Sequence, residues 1–124
     1  MKKALQRHTI SFRNAFAGIF WAVKTQPNFR VHLFLSIAAI LLGVYLRITS
    51  VEMMIIVFTI ILGLTAEMIN TSIEAMTDLI TTEYREKAKI AKDVSAGMML
   101  IAAVGAVIIA GIIFIPYLQT RFSF

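Results

Sequence analysis

Residues 51–80 read VEMMIIVFTIILGLTAEMINTSIEAMTDLI, and a change of character inside this stretch decides the fold. From Met53 to Ala66 fourteen residues carry no charge; Glu67, Asn70, Glu74 and Asp78 then follow. At about 100° per residue those four side chains share one helix face roughly 80° wide over three turns. A helix of about 30 residues is about 45 Å long, which exceeds the ~30 Å hydrocarbon core of a bilayer. The stretch is therefore expected to cross a membrane and to carry a polar stripe at, and beyond, one of its edges.

Two further apolar runs flank it. Val31 to Leu46 contains only His32 as a possible charge and extends through Phe29 and Ile48, and Val94 to Leu118 is uncharged, with Pro116 near its end. Each is long enough to span a bilayer with every backbone group paired inside its own helix. Of the 124 residues 59% are hydrophobic and the mean hydropathy is +0.82. That is more than one soluble core of this size could hide.

Residues 2–25 have a different pattern. Leu5, Thr9, Phe12, Phe16, Ile19 and Val23 fall on one helix face, with Lys3, Arg7 and Asn14 opposite. Such a helix lies on the membrane surface, with Trp21 near the headgroups. The sequence Thr25-Gln-Pro-Asn28 then breaks it, because Pro27 disfavours helical geometry at Gln26 and Asn28 can cap the next helix. The expected fold is an all-α membrane protein in one domain, 1–124. It has a surface helix over about 2–25 and transmembrane helices over about 29–48, 51–80 and 92–118. No internal repeat is evident. Lys2 and Lys3 are not followed by the apolar run and cleavage site of a signal peptide, so the N-terminus is expected to be retained.

Charge sets the orientation. Placing the N-terminus inside puts ten of the twelve Lys and Arg residues on the cytoplasmic side, leaving Arg47 and Arg121 outside. The positive-inside rule favours that arrangement, with the C-terminus outside a bacterial inner membrane.

The stripe carries the candidate chemistry. Three carboxylates in line repel one another, and even lenient scales assign about 2.5–3.5 kcal/mol to an Asp at the centre of a membrane helix. Glu74 and Asp78 could simply sit in water at the helix end, whereas Glu67 comes after fourteen uncharged residues. Clustered Glu, Asp and Asn oxygens suit Mg²⁺, which shares its shell with water and substrate phosphate. Lys92-Asp93, at the membrane end of a basic loop, places an ammonium where phosphate charge could be neutralised. The chain has no cysteine, two distant histidines, and no glycine followed by Lys. Thiolate and His-based metal sites and a Walker-type phosphate loop are excluded by that content. No nucleic-acid partner is expected.

The run Glu67-x-x-Asn70-Thr71-Ser72-Ile73-Glu74-x-x-x-Asp78, followed by Ala91-Lys92-Asp93-x-Ser95-Ala96, resembles the signature of the small prokaryotic diacylglycerol kinases. That family includes the undecaprenol kinases of Gram-positive bacteria. The resemblance covers nearly the whole chain. It implies a homotrimer with active sites between protomers and direct transfer of the ATP γ-phosphoryl group to a lipid hydroxyl. It further implies Glu67 as general base, Glu74 as a metal ligand, and Asn70 and Asp78 as polar groups shaping the site. Lys92 would contact nucleotide phosphate with Asp93 beside it, and Arg7 matches an arginine of the family's nucleotide site. One position departs: the family carries a glutamate where this chain has Gln26, whose amide oxygen would share the Mg²⁺ of Glu74 with less charge. The segment Gln26-Pro-Asn-Phe-Arg-Val-His32 is nearer the Gram-positive branch, which makes undecaprenol the expected substrate and diacylglycerol the alternative. Two other classes remain open at this level: a small proton-coupled exporter using a membrane-embedded glutamate, and a non-catalytic assembly subunit. The exporter would normally have four helices and one key carboxylate, and the subunit has no need of Glu67.

Overall fold

The computed structural model describes the backbone of residues 2–122 and the side chains of residues 11–122. Four helices follow in order: α1 (Lys2–Thr25), α2 (Pro27–Leu46), α3 (Ser50–Ile80) and α4 (Glu86–Phe122). The last three are each long and apolar enough to cross a membrane. α3 packs chiefly on α4, α2 lies mainly against α3, and α1 touches α2.

Local chemistry explains the breaks. Gln26 is extended (φ −100°, ψ 107°) and Pro27, which has no N–H to donate, occupies the first turn of α2. α2 ends at Arg47 in the left-handed region (φ 55°, ψ 45°). There the N–H groups of Arg47 and Ile48 close back onto the carbonyls of Val44 and Gly43 at 3.2 and 3.1 Å. This is a Schellman closure, which satisfies carbonyls the helix would otherwise leave unpaired. α3 opens at once with a capping box, in which Glu52 N–H donates to Thr49 Oγ1 and Thr49 N–H donates to Glu52 Oε2 at 2.8 Å. Tyr117 of α4 also donates to Glu52 Oε2, at 2.7 Å, tying the end of α4 to the start of α3.

α4 starts at Glu86, six residues before the expected position at Lys92. The sequence Glu86-Lys-Ala-Lys-Ile-Ala91 holds no breaker, so the helix continues into water where hydropathy marks only the membrane's edge. At the other end it passes Pro116 and runs to Phe122.

Burial is inverted relative to a soluble bundle. Phe34, Phe58 and Ile101 are among many large apolar side chains left exposed, while Glu67, Asn70, Thr71, Thr77 and Ser95 are buried. The apolar core is Ile56, Ile113 and Phe114, with Leu42, Ile60 and Ile109 packed around it. It occupies the end of the bundle near the α2–α3 turn, and the buried polar groups occupy the other. Ala102, Ala106 and Ala110 recur every four residues along α4, and the last two line a small cavity against α2 and α3.

Because Thr49 closes the capping box, Thr49→Ala should lower stability by about 1 kcal/mol and Thr49→Ser should largely preserve it. Unfolding of the three proteins in mixed micelles with increasing SDS measures this. Equal midpoints for Thr49→Ala and the parent would show that the box carries no stability.

A candidate active site on a polar helix seam

The face of α3 turned toward its neighbours runs through Ile56, Ile60, Gly63, Glu67, Asn70, Glu74 and Thr77, none of them exposed. The steps alternate four and three, the spacing by which one helix keeps a continuous seam against another. Over its first half the seam is apolar. From Glu67 onward the same positions are polar. Asp78 follows the broader 3.6-residue stripe and leaves this narrower seam at its last step, where Thr77 is buried and the Asp78 side chain is 61% exposed.

Glu67 is 2% exposed, and its Oε2 is buried without a hydrogen-bond partner among the described residues. His32, on the facing α2, and Glu74, two turns further along α3, interact with it electrostatically. An orphaned buried carboxylate oxygen is rare, because burial without a partner costs more than a typical hydrogen bond returns.

The next turn is a chain of directed bonds. Ser95 Oγ on α4 donates to Asn70 Oδ1 at 2.7 Å, and Asn70 Nδ2 donates to Glu74 Oε1 at 3.1 Å. The carboxylate fixes the amide's orientation, since the flipped amide would set oxygen against oxygen. Ser95 Oγ also lies 2.9 Å from the Lys92 carbonyl, so its single proton is divided between two acceptors. Ser95 belongs to the Ala91–Ala96 motif, yet no role for it was legible in the sequence. Its position three residues after Lys92 on α4 was the only signal.

At the end of the seam the Lys92 ammonium pairs with Asp78 Oδ1, joining α4 to α3, and Lys89 pairs with Asp93 within α4. Lys92 and Asp78 are thus brought together with the Asn70–Glu74 turn. Asp93 is exposed beside them. The Gln26 Nε2 donates to Thr25 Oγ1 at 3.3 Å, and among the described residues Gln26 has no hydrogen bond to Glu74. Arg7 lies on the α1 backbone, and its side chain falls outside the described residues.

Among the described residues no group of three or more His, Cys, Asp or Glu side chains comes together as a metal cluster. The donors present nevertheless fit a hard cation. Glu74 offers a half-buried carboxylate oriented by Asn70, and Mg²⁺ is commonly held by one or two carboxylates with substrate phosphates completing its shell.

Ser95→Ala leaves Asn70 Oδ1 as a buried acceptor without its donor and should destabilise the fold by about 1–3 kcal/mol. Asp78→Asn removes only a solvent-exposed ion pair and should cost less than about 1 kcal/mol. Unfolding of both variants in mixed micelles compares them, and a larger loss for Asp78→Asn would contradict this ranking.

Residues 13–114 match the family model described as prokaryotic diacylglycerol kinase. The chain is 40% identical over 108 residues to a diacylglycerol kinase of Synechocystis, covering 86% of this chain and 62% of that protein. It is 37% identical over 118 residues to the undecaprenol kinase of Bacillus subtilis, covering 94% and 95% of the two chains. The diacylglycerol kinase of Escherichia coli K12 is 30% identical over 94 residues, covering 76% and 77%. With three apolar spanning helices and a family model matched over most of its length, the chain is a multi-pass membrane protein that belongs to the prokaryotic diacylglycerol kinase family.

Proposed function

We propose that the protein is a lipid kinase, transferring the γ-phosphoryl group of Mg-ATP to the hydroxyl of a membrane lipid at the cytoplasmic face of the bacterial inner membrane. The observation that carries this reading is Glu67, a buried carboxylate with an unpartnered oxygen, at the head of a polar seam that ends at Lys92. Phosphoryl transfer asks chiefly for positioning and charge neutralisation, and this seam supplies both at a membrane edge. The lipid hydroxyl enters sideways from the bilayer while nucleotide arrives from water.

Glu67 Oε2 accepts the hydroxyl proton as the lipid oxygen bonds to the γ-phosphorus. The bond from that phosphorus to the β–γ bridging oxygen breaks, ADP leaves, and the proton passes later to solvent. Glu74, oriented by Asn70, would hold Mg²⁺ with an oxygen of Gln26 as a further donor, and the ion supplies charge neutralisation to the phosphates. Lys92 is paired with Asp78, and ATP phosphates would compete for its ammonium. Asp93 and Arg7 complete the nucleotide side.

Undecaprenol is the substrate we favour, supported by the near full-length match to the Bacillus protein, with diacylglycerol as the alternative. A homotrimer with shared sites is the assembly we favour, since three spanning helices leave the seam incompletely enclosed. The excess of Lys and Arg supports a cytoplasmic N-terminus and an outer C-terminus.

Purified protein in mixed micelles should transfer label from γ-labelled ATP to a lipid alcohol only when a divalent cation is added. Failure on undecaprenol, diacylglycerol and ceramide alike would contradict the reading. If Gln26 shares the Mg²⁺ of Glu74, Gln26→Glu adds an anionic donor and should lower the Mg²⁺ concentration giving half-maximal activity at saturating ATP. An unchanged midpoint would confine Gln26 to its role at the start of α2.

A further inference from the structure

A second candidate site lies at the opposite end of the bundle. Tyr45 and Arg47 at the end of α2, with Tyr117, Thr120 and Arg121 near the end of α4, line a pocket of about 710 Å³. At 1.5 Å per residue the start of α3, beside this pocket, is about 25 Å from Glu67. Only two of the chain's twelve Lys and Arg side chains belong to this end, and both line the same pocket.

Neither guanidinium has an ion pair among the described residues. Arg121 stands over the Tyr45 ring at 5.8 Å. Glu52 is the one carboxylate side chain in the adjoining sequence, and its Oε2 is committed to Thr49 and Tyr117. Arg47 adds an independent observation. Among the described residues it is the one non-glycine residue with positive φ, at a helix-end position where Gly or Asn is usual. A β-carbon in that conformation carries a steric cost, and strained backbone persists where the side chain it presents is used.

We infer that this pocket binds the phosphate of an anionic phospholipid headgroup at the membrane surface opposite the active site. Two guanidinium forks match phosphate geometry better than ammonium groups would, and the Tyr45 hydroxyl supplies a further donor, the Tyr117 and Thr120 protons being committed to Glu52 Oε2 and the Pro116 carbonyl. Tyrosine rings favour the headgroup level of a bilayer. Leu46 and Pro116 form an apolar wall that suits the first carbons of acyl chains and is superfluous for a free anion. The inference is independent of the kinase reading.

Native mass spectrometry of the full chain, released from nanodiscs of phosphatidylglycerol or phosphatidylcholine, reads lipid retention directly. The parent protein should retain phosphatidylglycerol in preference to phosphatidylcholine. The double variant Arg47→Asn with Arg121→Gln should weaken that retention about thirtyfold, roughly fivefold for each guanidinium. Asn is chosen at position 47 because it accepts the left-handed conformation. Arg121→Gln alone leaves the turn untouched and should give about fivefold, which keeps the test decisive if the double variant folds poorly. Unchanged retention in Arg121→Gln, or equal retention of the two lipids by the parent, overturns the proposal. Displacement of phosphatidylglycerol by soluble glycerol phosphate would assign the pocket to free phosphoesters and overturn the lipid source.

Discussion

A carboxylate inside a bilayer loses its hydration, at a cost of about 2.5–3.5 kcal/mol at the helix centre even on lenient scales. Glu67 lies in an apolar spanning helix, buried in the seam of α3 with an oxygen that nothing among the described residues satisfies. The arrangement around it is a response to that constraint. Turned outward, the polar half of α3 would face lipid, so it must be held against α4 and α2. In the polar half it is held by the Ser95–Asn70 bond and the Lys92–Asp78 pair. At the other end of the bundle Ile56, Ile113 and Phe114 pack together, and the capping box and Tyr117 contact fix the turn beneath them.

Within the polar end the side chains are ordered by directed bonds. Ser95 fixes Asn70, Asn70 fixes Glu74, and the Lys92–Asp78 pair closes the end of the seam. A hydrogen-bond chain of this kind keeps a potential metal-binding carboxylate oriented before any ligand arrives, which reduces the ordering cost of binding. The exposed ion pair adds little stability, a weakness that would suit the proposed transfer of the Lys92 ammonium to phosphate.

The spanning helices were legible because hydropathy and length alone demand them, and the polar stripe because three carboxylates and an amide at helical spacing are conspicuous in an apolar run. The rest depended on packing. Helix-to-helix contact follows a 3.5-residue seam, so Thr77 is buried and Asp78 comes out, a distinction that the 3.6-residue wheel cannot make. The bond between Ser95 and Asn70 spans 25 residues of sequence and depends on how α4 docks. His32 gave no hint of facing Glu67, since its place on α2 says nothing about the crossing of α2 and α3. Hydropathy placed the membrane edge near Lys92 but not the start of α4, which continues as a helix in water back to Glu86.

The central claim is that the unsatisfied oxygen of Glu67 is kept for a proton. Glu67→Gln preserves size and removes the basic oxygen, so initial rates of phosphoryl transfer to lipid and the Kd for Mg-ATP should be measured on the same preparations. The account predicts a fall in rate of at least about 100-fold with nucleotide affinity essentially unchanged. Near-normal turnover in Glu67→Gln, or a loss of ATP binding as large as the loss of rate, would contradict it.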